Sequence, residues 1–219
     1  MSDATTGARA ALVTDFDGTL TDRDVYELVL EHFGPPPGEH PFEAYRAGRL
    51  THLEAMQRIF ARADDEQALA DLLPHVGLQP GLRDLVDRLD EAGWDVVIVS
   101  AGCQWYIDRL LAGAGVEVTV HSNPGRFEPG RGLVIEHPTG AFVSEEVGVD
   151  KAAVLRHVAS THGPVAFAGD GLADLPPARL VPDQLRFARG DLAVAAAAEG
   201  LPTRPFGSWA EVVEQVLAT

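Results

Sequence analysis

The chain has 219 residues, 46% of them apolar, and a formal net charge of −16. That length and composition suit one large domain, or a core with a small accessory domain. The acidity argues against nucleic acid and anionic membranes as partners, since no basic stripe exists to displace counterions from phosphates, and no apolar run approaches the roughly 20 residues of a membrane helix.

Residues 10–14 form an apolar run, read as a buried strand, and Asp15-Phe16-Asp17-Gly18-Thr19-Leu20-Thr21 follows it directly. Residues 22–78 then carry three short helical patterns, at 25–32, 41–47 and 53–62, with no strand between them. Gly34-Pro35-Pro36-Pro37-Gly38 makes a rigid turn among these. From residue 80 onward helix and strand alternate. Residues 80–92 have helical apolar spacing at Leu82, Leu85, Val86 and Leu89, and residues 94–99 form a buried strand ending in Ser100-Ala101-Gly102. A helix at 103–112 and a strand at 116–121 come next. A hairpin is expected from 127–129 and 133–136, about Gly130-Arg131-Gly132. Residues 151–161 read as a helix capped by Asp150. The strand at 165–168 runs into Gly169-Asp170-Gly171-Leu172-Ala173-Asp174. A strand at 185–188 and helices at 191–199 and 208–217 close the chain.

Short, fully apolar strands alternating with helices predict a parallel sheet covered on both faces, an α/β Rossmann-like fold. Such sheets bind ligands at the carboxyl ends of their strands. Asp15, Ser100 and Asp170 all fall at such ends. Asp15 and Asp17, at i and i+2, project in the same direction, and Gly18 permits a sharp turn beside them. Carboxylates crowded in this way repel each other and lose hydration unless a cation or a reaction needs them. Lys151 is the single lysine in a chain with sixteen arginines, and a flexible point charge suits a shared anionic site better than a planar fork. Cys103, the only cysteine, excludes an internal disulfide and reads as a small buried residue. No Cys/His spacing suggests zinc. Residues 1–9 are polar and lack an apolar signal core, so the cytoplasm is the expected location.

The ordered set Asp15/Asp17, Ser100, Lys151 and Asp170 with Asp174 resembles the four motifs of the haloacid-dehalogenase (HAD) superfamily. The opening Asp-Phe-Asp-Gly-Thr-Leu-Thr and the early helical insertion resemble its phosphoserine-phosphatase-like group. The segment from Phe187-Ala188-Arg189 to Ser208-Trp209 is similar to the methionine-salvage 2-hydroxy-3-keto-5-methylthiopentenyl-1-phosphate phosphatases of that group, though their cysteine-rich insertion is absent. The resemblance implies a HAD-like core at residues 1–21 and 79–219 and a cap at 22–78, placed directly after the first strand. It implies a phosphatase of a small phosphorylated metabolite, with phosphoryl transfer to another alcohol, phosphoserine phosphatase proper or a non-catalytic binding module as alternatives; a monomer or homodimer is expected.

By the same resemblance, Asp15 is the nucleophile and Asp17 the acid/base. Ser100, Ala101, Gly102 and Lys151 bind the phosphoryl group. Mg²⁺ is held by the Asp15 and Asp170 carboxylates and the Asp17 carbonyl, with Asp174 supporting the metal or Lys151. Thr19 and Thr21 would order the loop after Gly18. Asp24 stands where phosphoserine phosphatases carry a glutamate for the substrate amine. Ile59 stands where they carry a carboxylate-binding arginine, with Arg58 adjacent. Asp24 and Arg58 are therefore the expected specificity residues, and a phosphoserine substrate is disfavoured.

Overall fold

The computed structural model describes residues 8–219; residues 1–7 of the expected core segment 1–21 lie outside the described residues. The chain starts with β1 (Ala10–Thr14), then α1 (Val25–Phe33), α2 (Pro41–Arg46), α3 (His52–Phe60) and α4 (Glu66–Leu72). It continues through α5 (Leu82–Glu91), β2 (Trp94–Cys103), α6 (Gln104–Gly113) and β3 (Thr119–Asn123). Two small hairpins follow, β4 (Gly125–Glu128) with β5 (Gly132–Ile135), and β6 (Val143–Ser144) with β7 (Gly148–Val149). The rest is α7 (Lys151–Thr161), β8 (Val165–Gly169), α8 (Leu175–Ala178), β9 (Arg186–Ala188), α9 (Gly190–Ala198), β10 (Arg204–Pro205) and α10 (Trp209–Leu217).

Six strands pair in parallel in the order β10-β9-β8-β1-β2-β3. β1 is central, flanked by β2 on one side and β8 on the other, so the strand order reverses beside its carboxyl end. Alternate residues of these strands serve opposite faces. Leu12, Val96, Ile98, Ala166 and Ala168 join one apolar cluster with α5, α6 and α10. Ala11, Val13, Val97, Val99, Val165 and Phe167 join the other, with α7, α8 and α9. The expected α/β sheet sandwiched by helices is what forms. Trp209 ties α10 to the central strand, its Nε1 donating to Thr14 Oγ1 at 3.1 Å.

Between β1 and α5 the chain forms α1–α4 and one turn of 3₁₀ helix. Its two ends meet at a Thr21–Leu78 bridge, flanked by backbone bonds from Asp22 to Gly77 and Gln79 to Leu20. Val25, Leu28, Met56, Phe60, Leu69 and Val76 of this stretch share the first apolar cluster with Phe16, Cys103 and Tyr106.

Several local expectations are corrected. The strand expected at 116–121 starts later, at Thr119, because Gly115 takes a positive φ of 67° and the Val116 N–H closes α6 on Leu111 O. β2 runs on through Ser100 to Cys103, with a register shift against β3 between Val99 and Cys103. α4, capped by Asp65, was not expected, since seven residues are too few for a clear helical period. Nor were β6, β7, α8 and β10, each of four residues or fewer.

Candidate active site

The site forms where β1, β2 and β8 end. Asp15 leaves β1 with its N–H on Ala168 O, and it is 6% exposed. Lys151 opens α7, where Asp150 accepts the Ala153 N–H as the expected N-cap. That start aims the lysine side chain inward. Its Nζ donates to Asp15 Oδ1 at 2.7 Å and to Asp174 Oδ1 at 2.6 Å, with the lysine 3% exposed. The other oxygen of Asp174 accepts the N–H groups of Asp170 and Gly171 at 3.1 and 3.0 Å. Asp174 thus fixes both the lysine and the loop that carries Asp170. Asp15, Asp170 and Asp174 bring one carboxylate oxygen each within 4.8 Å of one another.

Gly18 allows this approach. Its φ is 70°, and a Cβ there would collide with the Asp170 carboxylate. Thr19 donates to Asp170 Oδ1 at 2.8 Å, and Thr21 Oγ1 accepts the Gly18 N–H at 3.0 Å, so both threonines order the loop. Arg189, to which sequence reasoning assigned no role, fastens the same loop from the junction of β9 and α9. Its Nε donates to Gly18 O at 2.7 Å, its Nη2 to Thr21 O at 3.1 Å and its Nη1 to Gly207 O at 2.9 Å.

Asp17 is held by two donors, the Val25 N–H to Oδ1 at 3.2 Å and the Tyr106 hydroxyl to Oδ2 at 2.6 Å. Tyr106 lies on α6, fully buried and stacked on Phe60 with ring centroids 5.7 Å apart. A Cβ at residue 102 would strike the Tyr106 hydroxyl and Asp17 Oδ2, which explains Gly102. Ser100 Oγ accepts the Gly102 N–H at 2.9 Å.

Charge is out of balance here. One buried ammonium faces the carboxylates of Asp15, Asp17, Asp170 and Asp174. Burial pulls the Lys151 ammonium down, but Asp15 and Asp174 more than offset it and hold it above its usual range. Burial and the Asp174 charge push Asp15 well up, against the pull of Lys151. Burial and Asp174 push Asp170 up to about 6. Burial raises Asp17, opposed by the Tyr106 and Val25 hydrogen bonds. Oxygen donors with excess negative charge fit a hard divalent cation.

The cavity wall opposite these groups comes from α1–α3 and the residue before them: Asp24, Tyr26, Phe42, Tyr45, Arg46, His52 and Met56. Asp24 thus lies where expected, pushed up to about 8 by burial and by the charges of Asp17 and Asp170. Arg58 does not. It is exposed on the outer side of α3, and the arginine that lines the cavity is Arg46. Ile59 is fully buried in the apolar cluster. Burial pushes the Cys103 thiol up to about 12, leaving it inert beside the site. The segment 123–150 also has a place. Gln57 Nε2 donates to Ile135 O at 2.9 Å and the Leu53 N–H to Glu146 O at 3.1 Å, so its hairpins seat α3. One missed signal was in the sequence. Thr51 and Glu54 form a capping box, the signature that places His52 in the first turn of α3.

Residues 12–179 match the haloacid dehalogenase-like hydrolase family, and the chain belongs to it. It is 27% identical over 209 residues to the 2-hydroxy-3-keto-5-methylthiopentenyl-1-phosphate phosphatase of Geobacillus thermodenitrificans, covering 94% of each chain. It is 25% identical over 212 residues to the enzyme of the same name from Brevibacillus brevis, again over 94% of both. Among solved structures it is similar to a substrate-bound phosphoserine phosphatase, with a TM-score of 0.69 at 14% identity, covering 96% of this chain and 98% of that one. The latter likeness shows the fold. Among the described residues, no helix is long and apolar enough to cross a membrane.

Proposed function

We propose that the protein is a Mg²⁺-dependent phosphatase of a small phosphorylated metabolite, acting through an aspartyl-phosphate at Asp15. The observation that carries this reading is the Lys151 bridge between Asp15 and Asp174, with the Asp170 carboxylate beside it at the strand ends. The names of the relatives make 2-hydroxy-3-keto-5-methylthiopentenyl-1-phosphate the first substrate to test. Residues 22–78 act as the cap over a core of 1–21 and 79–219. They supply the cavity wall that meets the organic part of the substrate.

Lys151 occupies Asp15 Oδ1, so the other oxygen attacks phosphorus in line with the leaving oxygen. Asp17 gives its proton to that leaving oxygen, then takes one from the water that hydrolyses the aspartyl-phosphate. Its elevated pKa, tempered by Tyr106, suits a group that must both give and take a proton. Ser100 Oγ accepts from Gly102, and its hydroxyl hydrogen can turn from Asp17 to a phosphoryl oxygen. The Ala101 and Gly102 backbone lines the same phosphoryl pocket. Lys151 neutralises charge shared between Asp15 and the phosphoryl group. The Asp15 and Asp170 carboxylates and the Asp17 carbonyl would hold Mg²⁺, which supplies charge neutralisation when bound. Asp174 keeps Lys151 and the 170–171 backbone in place.

The test is turnover of a panel of phosphorylated metabolites, that substrate included, with Mg²⁺ and with EDTA. Release of inorganic phosphate from one or more esters, silenced by EDTA and restored by Mg²⁺, is the expected result. Undiminished activity in metal-free buffer, or no phosphate release from any ester, contradicts the reading.

A further inference from the structure

His52 is held with unusual care for a residue whose side chain makes no hydrogen bond among the described residues. It opens α3 behind a complete capping box, with the Glu54 N–H on Thr51 Oγ1 at 3.1 Å and the Thr51 N–H on Glu54 Oε2 at 2.8 Å. The next N–H, from Leu53, is taken by Glu146 O in the turn joining β6 to β7. The imidazole packs edge-on against Phe42 and Tyr45, each centroid 5.6 Å away. Backbone and ring are therefore both fixed, and the ring lines the cavity that also contains Ser100 and Lys151.

Its two nitrogens differ. Nδ1 is sealed in protein with no hydrogen-bond partner, a state shared among the described residues only by Asn123 Oδ1. Nε2 makes no hydrogen bond among the described residues and, unlike Nδ1, is not sealed in protein, and the residue lines the cavity. A proton on Nδ1 would bury a donor with no acceptor, a costly state. A proton on Nε2 leaves that donor pointing into the space a ligand fills. Burial and the Lys151 charge push the imidazole down to about 4, so it is neutral at physiological pH and not an anion clamp. The phosphoryl group is already served by Lys151 and Ser100 at the strand ends.

We propose, on the basis of the phosphatase reading, that His52 is the leaving-group reader of this site: its Nε2–H donates to a carbonyl or hydroxyl oxygen on the organic part of the phosphate ester. The substrate class is then an oxo- or hydroxy-substituted phosphate ester. An ammonium group is not accepted at this point, because a donor meets a donor there. The aromatic wall of Tyr26, Phe42 and Tyr45 takes the carbon skeleton.

The probes are dihydroxyacetone phosphate, which carries a ketone and a hydroxyl, and propyl phosphate, which has the same three carbons and neither oxygen. The variant is His52→Phe, which keeps an aromatic ring between Phe42 and Tyr45 and removes both nitrogens. Each probe is read by kcat/KM, or by its Ki against p-nitrophenyl phosphate where turnover is slow. The wild-type preference for dihydroxyacetone phosphate over propyl phosphate should fall about tenfold in the variant, the loss of one neutral hydrogen bond. Propyl phosphate itself should change little. A preference unchanged in the variant, or equal losses on both probes in a variant that melts like wild type, overturns the proposal and makes His52 scaffold. Long-range ¹H–¹⁵N spectra of histidine-labelled wild-type protein give an independent reading. A neutral ring protonated on Nε2 supports the proposal, and one protonated on Nδ1 or on both nitrogens at pH 7 overturns it. Wild-type protein that releases no phosphate from p-nitrophenyl phosphate, from either probe or from any ester of the metabolite panel refutes the phosphatase reading itself, and this proposal with it.

Discussion

Asp24→Asn should stabilise the metal-free protein, and by an amount that depends on pH. Asp24 precedes α1 without capping it, so an amide there forfeits no cap. Burial, with the charges of Asp17 and Asp170, pushes its carboxyl up to about 8, against about 4 in an unfolded chain. Below about pH 4 the group is neutral in both states and costs folding nothing electrostatically. Between about pH 4 and 8 the unfolded chain ionises freely while the folded one resists, so stability falls by up to about 1.4 kcal/mol per pH unit. The fall levels off above about pH 8, at roughly 5 kcal/mol as an upper bound. An asparagine never ionises, and its amide is desolvated on folding much as the protonated carboxyl is; relaxation and water penetration around the buried charge bring the expected gain at high pH down from that bound to about 3 kcal/mol. Urea unfolding in EDTA, at about pH 4 and about pH 9, measures it through the midpoint at constant slope. The two proteins should coincide at the acid end and separate at the alkaline end. A constant difference across the range, or a variant less stable at alkaline pH, refutes the burial of an uncompensated charge at this position.

Three further outcomes follow from the same geometry. Tyr106→Phe keeps the ring stacked on Phe60 but removes the hydroxyl that holds Asp17; kcat should fall roughly tenfold or more, the value of a hydrogen bond to a charged group, with the far-ultraviolet spectrum unchanged. Lys151→Met strands Asp15 and Asp174 without their buried partner. It should abolish turnover and cost about 3–5 kcal/mol at neutral pH by denaturant titration, less in acid, where Asp15, already pushed up by burial, is neutral. Arg46→Ala should lower kcat/KM for the preferred metabolite more than for p-nitrophenyl phosphate, whereas Arg58→Ala should leave both unchanged, as its exposed position outside the cavity implies.

What could be read in advance follows from how each residue is specified. Asp15, Ser100 and Asp170 each lie at or just beyond the end of a short apolar run, and Asp150 marks the start of the helix that Lys151 opens. These are local signals, and a parallel sheet gathers them at one edge whatever the loops do. The opposite wall has a weaker local signature: the Thr51–Glu54 capping box marks where α3 starts, but not which way its side chains face. Asp24, Arg46 and His52 belong to different helices or their flanks, and which face of each turns inward is decided by docking against Phe16, Tyr106 and the β4–β5 and β6–β7 hairpins. Arg58 illustrates the limit. It stands next to Ile59 in sequence, but one residue on a helix turns the side chain by about 100°, and Ile59 takes the apolar face. Tyr106 was missed for a related reason: on an amphipathic helix it reads as core, which its ring is, and only the tertiary structure brings its hydroxyl to Asp17.

The central claim is that Asp15 takes the phosphoryl group. Acid quenching during steady-state turnover of a good ester substrate with Mg²⁺, followed by peptide mass spectrometry, tests it directly. The account predicts one added phosphoryl group on the peptide containing Asp15, lost on mild base treatment and absent from Asp15→Asn, which should also be inactive. Turnover without any modified aspartate, a phosphoryl group on another residue, or an active Asp15→Asn variant would contradict it.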